Sequence, residues 1–219
     1  MALHHNPRIV TSGLVLALDA GDINSYPGSG TTWKDLSGNG NDGTLTNGIT
    51  LSSATQGSFI FGGTNQYIEL DNALALTGAF TITCFFVRDT TGERSFVGKT
   101  GGSSGTKIIF LSNNNIFFRM VDGESAVNFN IGYTNDLHGQ WNYLTAIRDS
   151  SNVIKASLNG GPLVTNAART GTFSPNAIGR NGDGQYWDGK IADMKVYNRE
   201  LSADEIVQNY EAQKTRFGL

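Results

Sequence analysis

The sequence predicts an all-β antiparallel sandwich with a short C-terminal helix, and three observations support this fold class. Short apolar segments recur along the chain, and turns rich in glycine and asparagine separate them, with 28 glycines among 219 residues. Phe80, Ile82, Cys84 and Phe86 occupy every second position of one segment, which is the period of a strand that buries one face against a second sheet. All-β domains of roughly 200–250 residues often form one unit, so a single sandwich accounts for the length.

The order of the elements divides the chain into an arm at residues 1–12, a sandwich at residues 13–200 and a helix with a tail at residues 201–219. Gly13 separates the arm from the first apolar segment, which ends in Asp19. The predicted strands are residues 14–19, 58–61, 67–70, 80–87, 107–111, 116–120, 127–131, 142–147, 154–158 and 190–197.

The predicted helix begins after Ser202, which forms a capping box with Glu205: the serine accepts from the first turn and the glutamate bonds back to the cap. Leu201 and Ile206 stand at the positions of a hydrophobic staple. The tail that follows, residues 214–219, ends in two apolar side chains outside any regular element. We expect these side chains to dock either on a neighbouring molecule or on the same domain.

The composition limits the function classes. A formal net charge of −3 gives no support for a nucleic-acid partner, which usually requires a basic patch. Cys84 is the single cysteine, and its apolar surroundings predict a buried, inert thiol. The chain shows no signal-peptide core and no apolar run of the roughly 18 residues that a membrane span needs, so we expect synthesis in the cytoplasm and no membrane partner.

The loop at residues 33–43 consists almost entirely of Gly, Asn, Asp and Ser after Trp33. Its glycines at 38, 40 and 43 match the dinucleotide-binding fingerprint, but no helix follows to hold a pyrophosphate. Asp35 and Asn41 fall on EF-hand positions, yet Thr46 stands where that loop needs a bidentate glutamate. A Ca²⁺ site of another geometry and a turn satisfied by its own side chains both stay open, and Trp33 is expected to pack inward.

Hydrolytic activity finds little support in the pattern of acidic residues. Sandwich glycosidases need a paired acid and nucleophile, and the stretch that begins with Glu69 and Asp71 continues with Leu74 where a second glutamate would complete an array. His138 is the one histidine within the predicted sandwich, and no Gly-x-Ser-x-Gly elbow occurs. We therefore expect no enzyme activity and no catalytic residues, with a glycan hydrolase as the remaining enzymatic alternative.

Several motifs resemble concanavalin A-like, laminin G-like jelly-roll domains. They include the Leu-Asn-Gly hairpin that ends at Gly160 and the closing signature that runs from Asp188 to Ile206. The stretches that carry the resemblance are residues 16–20, 25–33, 35–40, 59–68, 141–143, 157–160 and 188–206. The resemblance implies a jelly-roll sandwich that serves mostly as a binding or structural module. Some members hold a structural Ca²⁺ near the first and closing strands, which implies Asp19, Asp35, Asn41 and Asp193 as its ligands here.

The turn at residues 25–30 and the tail at residues 216–219 are similar to proteins of tailed bacteriophages. This similarity implies a virion structural protein: a capsid decoration, a head fibre or a tail-associated subunit. Its partners would be capsid or tail proteins, and its location the virion surface after assembly in the host cytoplasm. A homo-oligomer is compatible with such a role, although the sequence selects no oligomeric state.

The alternative function is a carbohydrate-binding module that adsorbs to host-surface glycans. Sugars stack on exposed aromatic rings and form hydrogen bonds with loop Asn and Asp side chains. The candidate carbohydrate-binding residues are Trp187, Tyr186, Tyr133, Asn181 and Asp183. For Trp187, a place in the core or at its rim is the competing interpretation.

Overall fold

A computed structural model describes residues 8–54, 57–101, 105–110, 115–120, 127–129 and 137–219 of the chain. Its strands are β1 (Leu14–Asp19), β2 (Thr32–Trp33), β3 (Gly43–Thr46), β4 (Thr50–Ser52), β5 (Ser58–Gly62), β6 (Tyr67–Leu70), β7 (Phe80–Arg88), β8 (Arg94–Gly98), β9 (Lys107–Phe110), β10 (Ile116–Arg119), β11 (Val127–Phe129), β12 (Trp141–Arg148), β13 (Val153–Leu158), β14 (Val164–Ala168), β15 (Ala177–Ile178), β16 (Asp188–Ile191) and β17 (Asp193–Tyr197). Helix α1 (Ala203–Gln213) and a 3₁₀ turn (Lys214–Phe217) follow.

The strands form two sheets, which confirms the predicted sandwich. One sheet has the order β14-β13-β12-β7-β16-β5-β4, and β17 connects β1 to its strand β7. The other, which we call the eight-stranded sheet, has the order β11-β10-β9-β8-β15-β6-β3-β2. The ladders between these strands are antiparallel. The predicted strand at residues 190–197 is two strands, since β16 and β17 pair with successive parts of β7 on either side of Ala192.

The main core lies between the two sheets and is rich in aromatic side chains. Phe80, Ile82, Cys84 and Phe86 are fully buried in it, as their alternation predicts. Burial raises the pKa of the Cys84 thiol well above its usual value, which keeps the thiol protonated and unreactive.

The C-terminal helix packs on the outer face of the sheet that contains β7, which has nine strands when β1 and β17 are included. The capping box between Ser202 and Glu205 is present as predicted. The Arg199 guanidinium, which donates to Glu205, and the Ser202 backbone N–H lower the pKa of Glu205 to about 2. No helix in the described part of the chain is long and apolar enough to span a membrane.

The tail docks on its own domain, which decides between the two expectations for it. Phe217 is buried and stacks on Phe85 with ring centroids 4.2 Å apart. The neighbouring Arg216 forms an ion pair with Asp19, at 2.7 Å between Nη1 and Oδ1. The tail therefore holds the edge strand β1 and the outer face of β7 together.

Candidate functional site

The glycine- and asparagine-rich loop at residues 33–43 is organised around one buried carboxylate. Asp35 accepts hydrogen bonds from the backbone N–H groups of Ala17, Ser37 and Asn41, at 2.9, 2.9 and 3.0 Å, and from the Ser37 hydroxyl at 2.8 Å. Trp33 points inward, as expected, and packs edge-on against Phe59 with ring centroids 4.9 Å apart. The loop thus ties β1 to the start of β3 with its own side chains.

The side chains of the four predicted Ca²⁺ ligands do not converge on one point in the structure; each is bonded to protein groups. The carboxylate of Asp19 is paired with Arg216, and the buried carboxylate of Asp193 is bonded to Lys195 and to the backbone N–H of Phe85. The side-chain amide of Asn41 donates to the Val15 carbonyl at 2.9 Å. Among the described residues, no three His, Cys, Asp or Glu side chains lie close enough to hold a metal ion. Ca²⁺ takes six to eight oxygen ligands, and in this arrangement the side chains of Asp19, Asn41 and Asp193 are bonded to protein groups. Ca²⁺ binding stays a prediction.

Trp187 is not available to a sugar, which corrects its assignment as a binding residue. Its side chain is 0% exposed and lies among Phe86, Phe96 and Phe110, with ring centroids 5.3–5.6 Å away. The backbone N–H of Trp187 donates to the Gly179 carbonyl, which closes a hairpin between the two residues. Because the hairpin is extended at this point, adjacent side chains point in opposite directions, and Trp187 takes the inward position.

The other predicted sugar contacts separate into three cases. Asn181 is fully buried, and its side chain bonds within the hairpin to Gln185 and to the backbone of Asp183. Asp183 is exposed at the hairpin tip and forms an ion pair with Lys107 of β9. Tyr186 is partly exposed and points outward. Tyr133 lies outside the described residues. The structure therefore keeps Tyr186 and Asp183 at an accessible surface and makes Asn181 a structural residue.

Tyr186 lies on the outer face of the eight-stranded sheet. On β6, Ile68 and Leu70 point into the core, so Tyr67 and Glu69 point outward. The guanidinium of Arg180 packs against two rings on this face, 4.8 Å from the centroid of Tyr67 and 5.4 Å from that of Tyr186. We call these three side chains the arginine sandwich.

A second group of aromatic and basic side chains lies on the same face at β9 and β10. Phe117 and Arg119 alternate with buried neighbours on β10 and are partly exposed. The ring of Phe117 is 5.3 Å from the Arg119 guanidinium and 5.8 Å from the Lys107 ammonium. Tyr67 and β10 are separated by four strand intervals, or roughly 19 Å at the usual strand spacing.

Sequence reasoning missed Tyr67, Arg180, Phe117 and Arg119. The alternation in β6 and β10 could have identified them, because each aromatic residue alternates with core positions and so points to the other face of the sheet. An outward aromatic beside a basic residue differs from the charged outer face that a sheet usually shows to water. The contact of Arg180 with Tyr67 requires the pairing of β15 with β6, which cannot be predicted from the local sequence.

The fold and this outward aromatic and basic surface define a lectin-like β-sandwich domain. A laminin G family model, described as the concanavalin A-like lectin/glucanases superfamily, matches residues 61–207. The chain belongs to that superfamily. No curated protein sequence matches the chain at a significant level.

Solved structures with this fold include carbohydrate- and receptor-binding domains. The fourth domain of an extracellular family-43 arabinanase from Geobacillus stearothermophilus, in complex with arabinotriose, is similar at a TM-score of 0.69 and 18% identity, over 92% of this chain and 99% of that one. The receptor-binding domain of the botulinum neurotoxin C/D mosaic serotype is similar at a TM-score of 0.69 and 15% identity, over 93% of this chain. The chain spans 52% of that toxin domain. At these identities the likeness establishes the lectin-like jelly-roll fold.

Proposed function

We propose that this protein is a non-catalytic glycan-binding domain and that the outer face of the eight-stranded sheet is its binding surface. The observation that carries the proposal is the arginine sandwich, in which two partly exposed tyrosine rings are held outward on an open sheet face. Large exposed aromatics with polar partners are typical of recognition surfaces. The fold is that of domains such as the arabinotriose-binding one, which supports the same function.

The two groups on this face suit an oligosaccharide better than a single sugar. Tyr186 and Tyr67 offer ring faces for stacking, and Phe117 offers a third at a distance of several strands. Between them the hairpin tip exposes Asp183 and Gly184. An extended chain of sugars would follow the face across the strands and contact both groups, so affinity should rise with chain length.

The acidic residues of the hairpin and its surroundings support a role without catalysis. Asp183 is paired with Lys107, and Glu93 accepts a hydrogen bond from Gln185 at 3.0 Å. Glycosidases need one carboxyl group that protonates the leaving oxygen and a second that acts as nucleophile or base. Here both carboxylates hold the hairpin against the sheet.

Replacement of Tyr186 by alanine should weaken glycan binding roughly ten-fold, because a stacking ring is removed. The ring lies outside the core, so the free energy of unfolding should change by less than about 1 kcal/mol. A glycan array identifies the ligand with the wild-type protein, and titration calorimetry then compares the variants. Ile60→Ala is the control, because Ile60 is an exposed apolar side chain of β5, in the other sheet.

Equal loss of affinity in Tyr186→Ala and Ile60→Ala would place the binding surface elsewhere. An array without any hit, obtained with correctly folded protein, would reject glycan binding as the function.

A virion structural role is a second proposal, supported by the likeness of residues 25–30 and 216–219 to phage proteins. It is compatible with glycan binding, since a capsid decoration or tail-associated subunit can adsorb to host-surface glycans. The partners would be capsid or tail proteins, and the location the virion surface.

Removal of the tail is a poor test of that role, because Phe217 and Arg216 hold the domain together. The intact chain should instead be sought by mass spectrometry in purified particles of the phage that encodes it. We expect it there in a fixed ratio to the major capsid protein. Particles that lack the chain would exclude the virion role and leave glycan binding untouched.

A further inference from the structure

We propose that Arg180 makes the glycan-binding face selective for saccharides that carry a carboxylate. The inference rests on the proposed function and specifies the chemistry of its ligand. It starts from the position of the guanidinium, which packs against the rings of Tyr67 and Tyr186 at 4.8 and 5.4 Å from their centroids. A guanidinium held against aromatic rings can still present N–H groups to a ligand.

The guanidinium is oriented but has no anionic partner in the described structure. Its Nε atom is buried and donates no hydrogen bond, and no acidic side chain of the described residues forms an ion pair with it. A buried donor without an acceptor costs free energy. The Nη groups of Arg180 are not among the buried donors without a partner, so they are the groups that a ligand's acceptor oxygens can reach.

The neighbouring charges leave Arg180 as the available cation of the hairpin. Lys107 is neutralised by Asp183 at the hairpin tip, and Arg94 lies 3.8 Å from the carboxylate of Asp188. Glu69 points outward on β6, two residues from Tyr67, without bonding to Arg180. A ligand that reaches the arginine sandwich thus meets the charge of Arg180, which no described acidic side chain neutralises. Arg119 also forms no ion pair with a described residue, but it lies on β10, four strand intervals from Tyr67.

The shape of this group favours a carboxylate over a hydroxyl. A planar guanidinium donates two parallel hydrogen bonds to the two oxygens of a carboxylate, which a neutral hydroxyl cannot accept. Contact with the two rings restricts the Arg180 side chain before a ligand arrives, so less side-chain entropy is lost when the ligand binds.

The test compares matched acidic and neutral sugars by titration calorimetry at low and high salt. The pairs are trigalacturonate against its carboxyl-reduced form and sialyllactose against lactose, with a sulfated lactose as the third arm. The variants are Arg180→Gln, Arg180→Lys and the control Lys190→Gln, which removes a charge from β16 in the other sheet. A thermal melt of each variant confirms folding.

We expect the wild type to bind a carboxylated sugar roughly ten-fold or more tightly than its neutral partner, because a charge-assisted bond is gained. Arg180→Gln should abolish this preference. Arg180→Lys should retain only part of it, since an ammonium cannot donate two parallel hydrogen bonds to one carboxylate. High salt should weaken the acidic ligand selectively. Lys190→Gln should bind as the wild type does.

Equal affinity for the acidic and neutral partners, unchanged in Arg180→Gln, would overturn the inference while the proposed function stands. Equal binding of the sulfated and carboxylated sugars would overturn the carboxylate preference and make Arg180 a general anion contact. Absence of binding to every sugar of a wider array would overturn both proposals.

Discussion

Replacement of Asp35 by alanine is expected to lower the free energy of unfolding by about 3 kcal/mol, because one buried and three part-buried hydrogen bonds lose their acceptor at once. The carboxylate accepts from Ala17, from Asn41 and twice from Ser37. Without it, the loop and β1 lose their common anchor. Urea unfolding followed by tryptophan fluorescence measures the change.

Two further variants test whether the stability depends on the charge of Asp35 and on its buried position. Asp35→Asn keeps one acceptor oxygen and should cost less than the alanine. Asp71→Ala removes an exposed carboxylate and should change the free energy of unfolding by less than about 0.5 kcal/mol. If Asp35→Ala were as stable as Asp71→Ala, the loop conformation would be held by its glycines and not by the carboxylate.

Replacement of Trp187 by alanine is expected to cost about 3–5 kcal/mol of stability, because a large ring leaves a cavity in the core. The ring contacts Phe86, Phe96 and Phe110 and is fully buried. Thermal and urea unfolding measure the loss. Tyr186→Ala, one residue earlier in the chain, is the matched control and should leave stability within about 1 kcal/mol of the wild type.

Variants of Tyr186 and Trp187 also distinguish a residue of the binding surface from a residue of the core. Tyr186→Ala should lose glycan affinity and keep stability, whereas Trp187→Phe should keep affinity and lose part of the stability. A stable Trp187→Ala protein that has lost glycan binding would contradict the inward position of this ring.

The sequence predicts features that depend on neighbours in the chain. The alternation at residues 80–86 identifies a buried strand, and the capping box at Ser202 and Glu205 locates the helix start, because both arise from contacts within a few residues. Trp33 is an aromatic beside a polar loop, and its inward packing follows from the cost of leaving such a ring in water.

Features that depend on strand pairing are not accessible in the same way. The sequence offers both Tyr186 and Trp187 as sugar contacts, and only the packing of Trp187 against Phe96 of β8 decides that this ring points inward. Asp19 and Asp193 are register partners in the β1–β17 ladder, but their carboxylates bind different groups. The cations that accompany them come from Arg216 and Lys195, and Arg216 reaches its partner only because the tail folds back.

By itself, the sequence determined the class of fold, the helix start, the turns and the family, because these follow from local periodicity and from motifs. The tertiary structure decided which side of each strand is the core and which partners each charge has. The arginine sandwich shows the reason: Arg180 and Tyr186 pair within one hairpin, but Tyr67 reaches them only because β6 pairs with β15, more than 100 residues later in the chain. Their proximity is a property of the register of the sheet, which no short stretch of sequence contains.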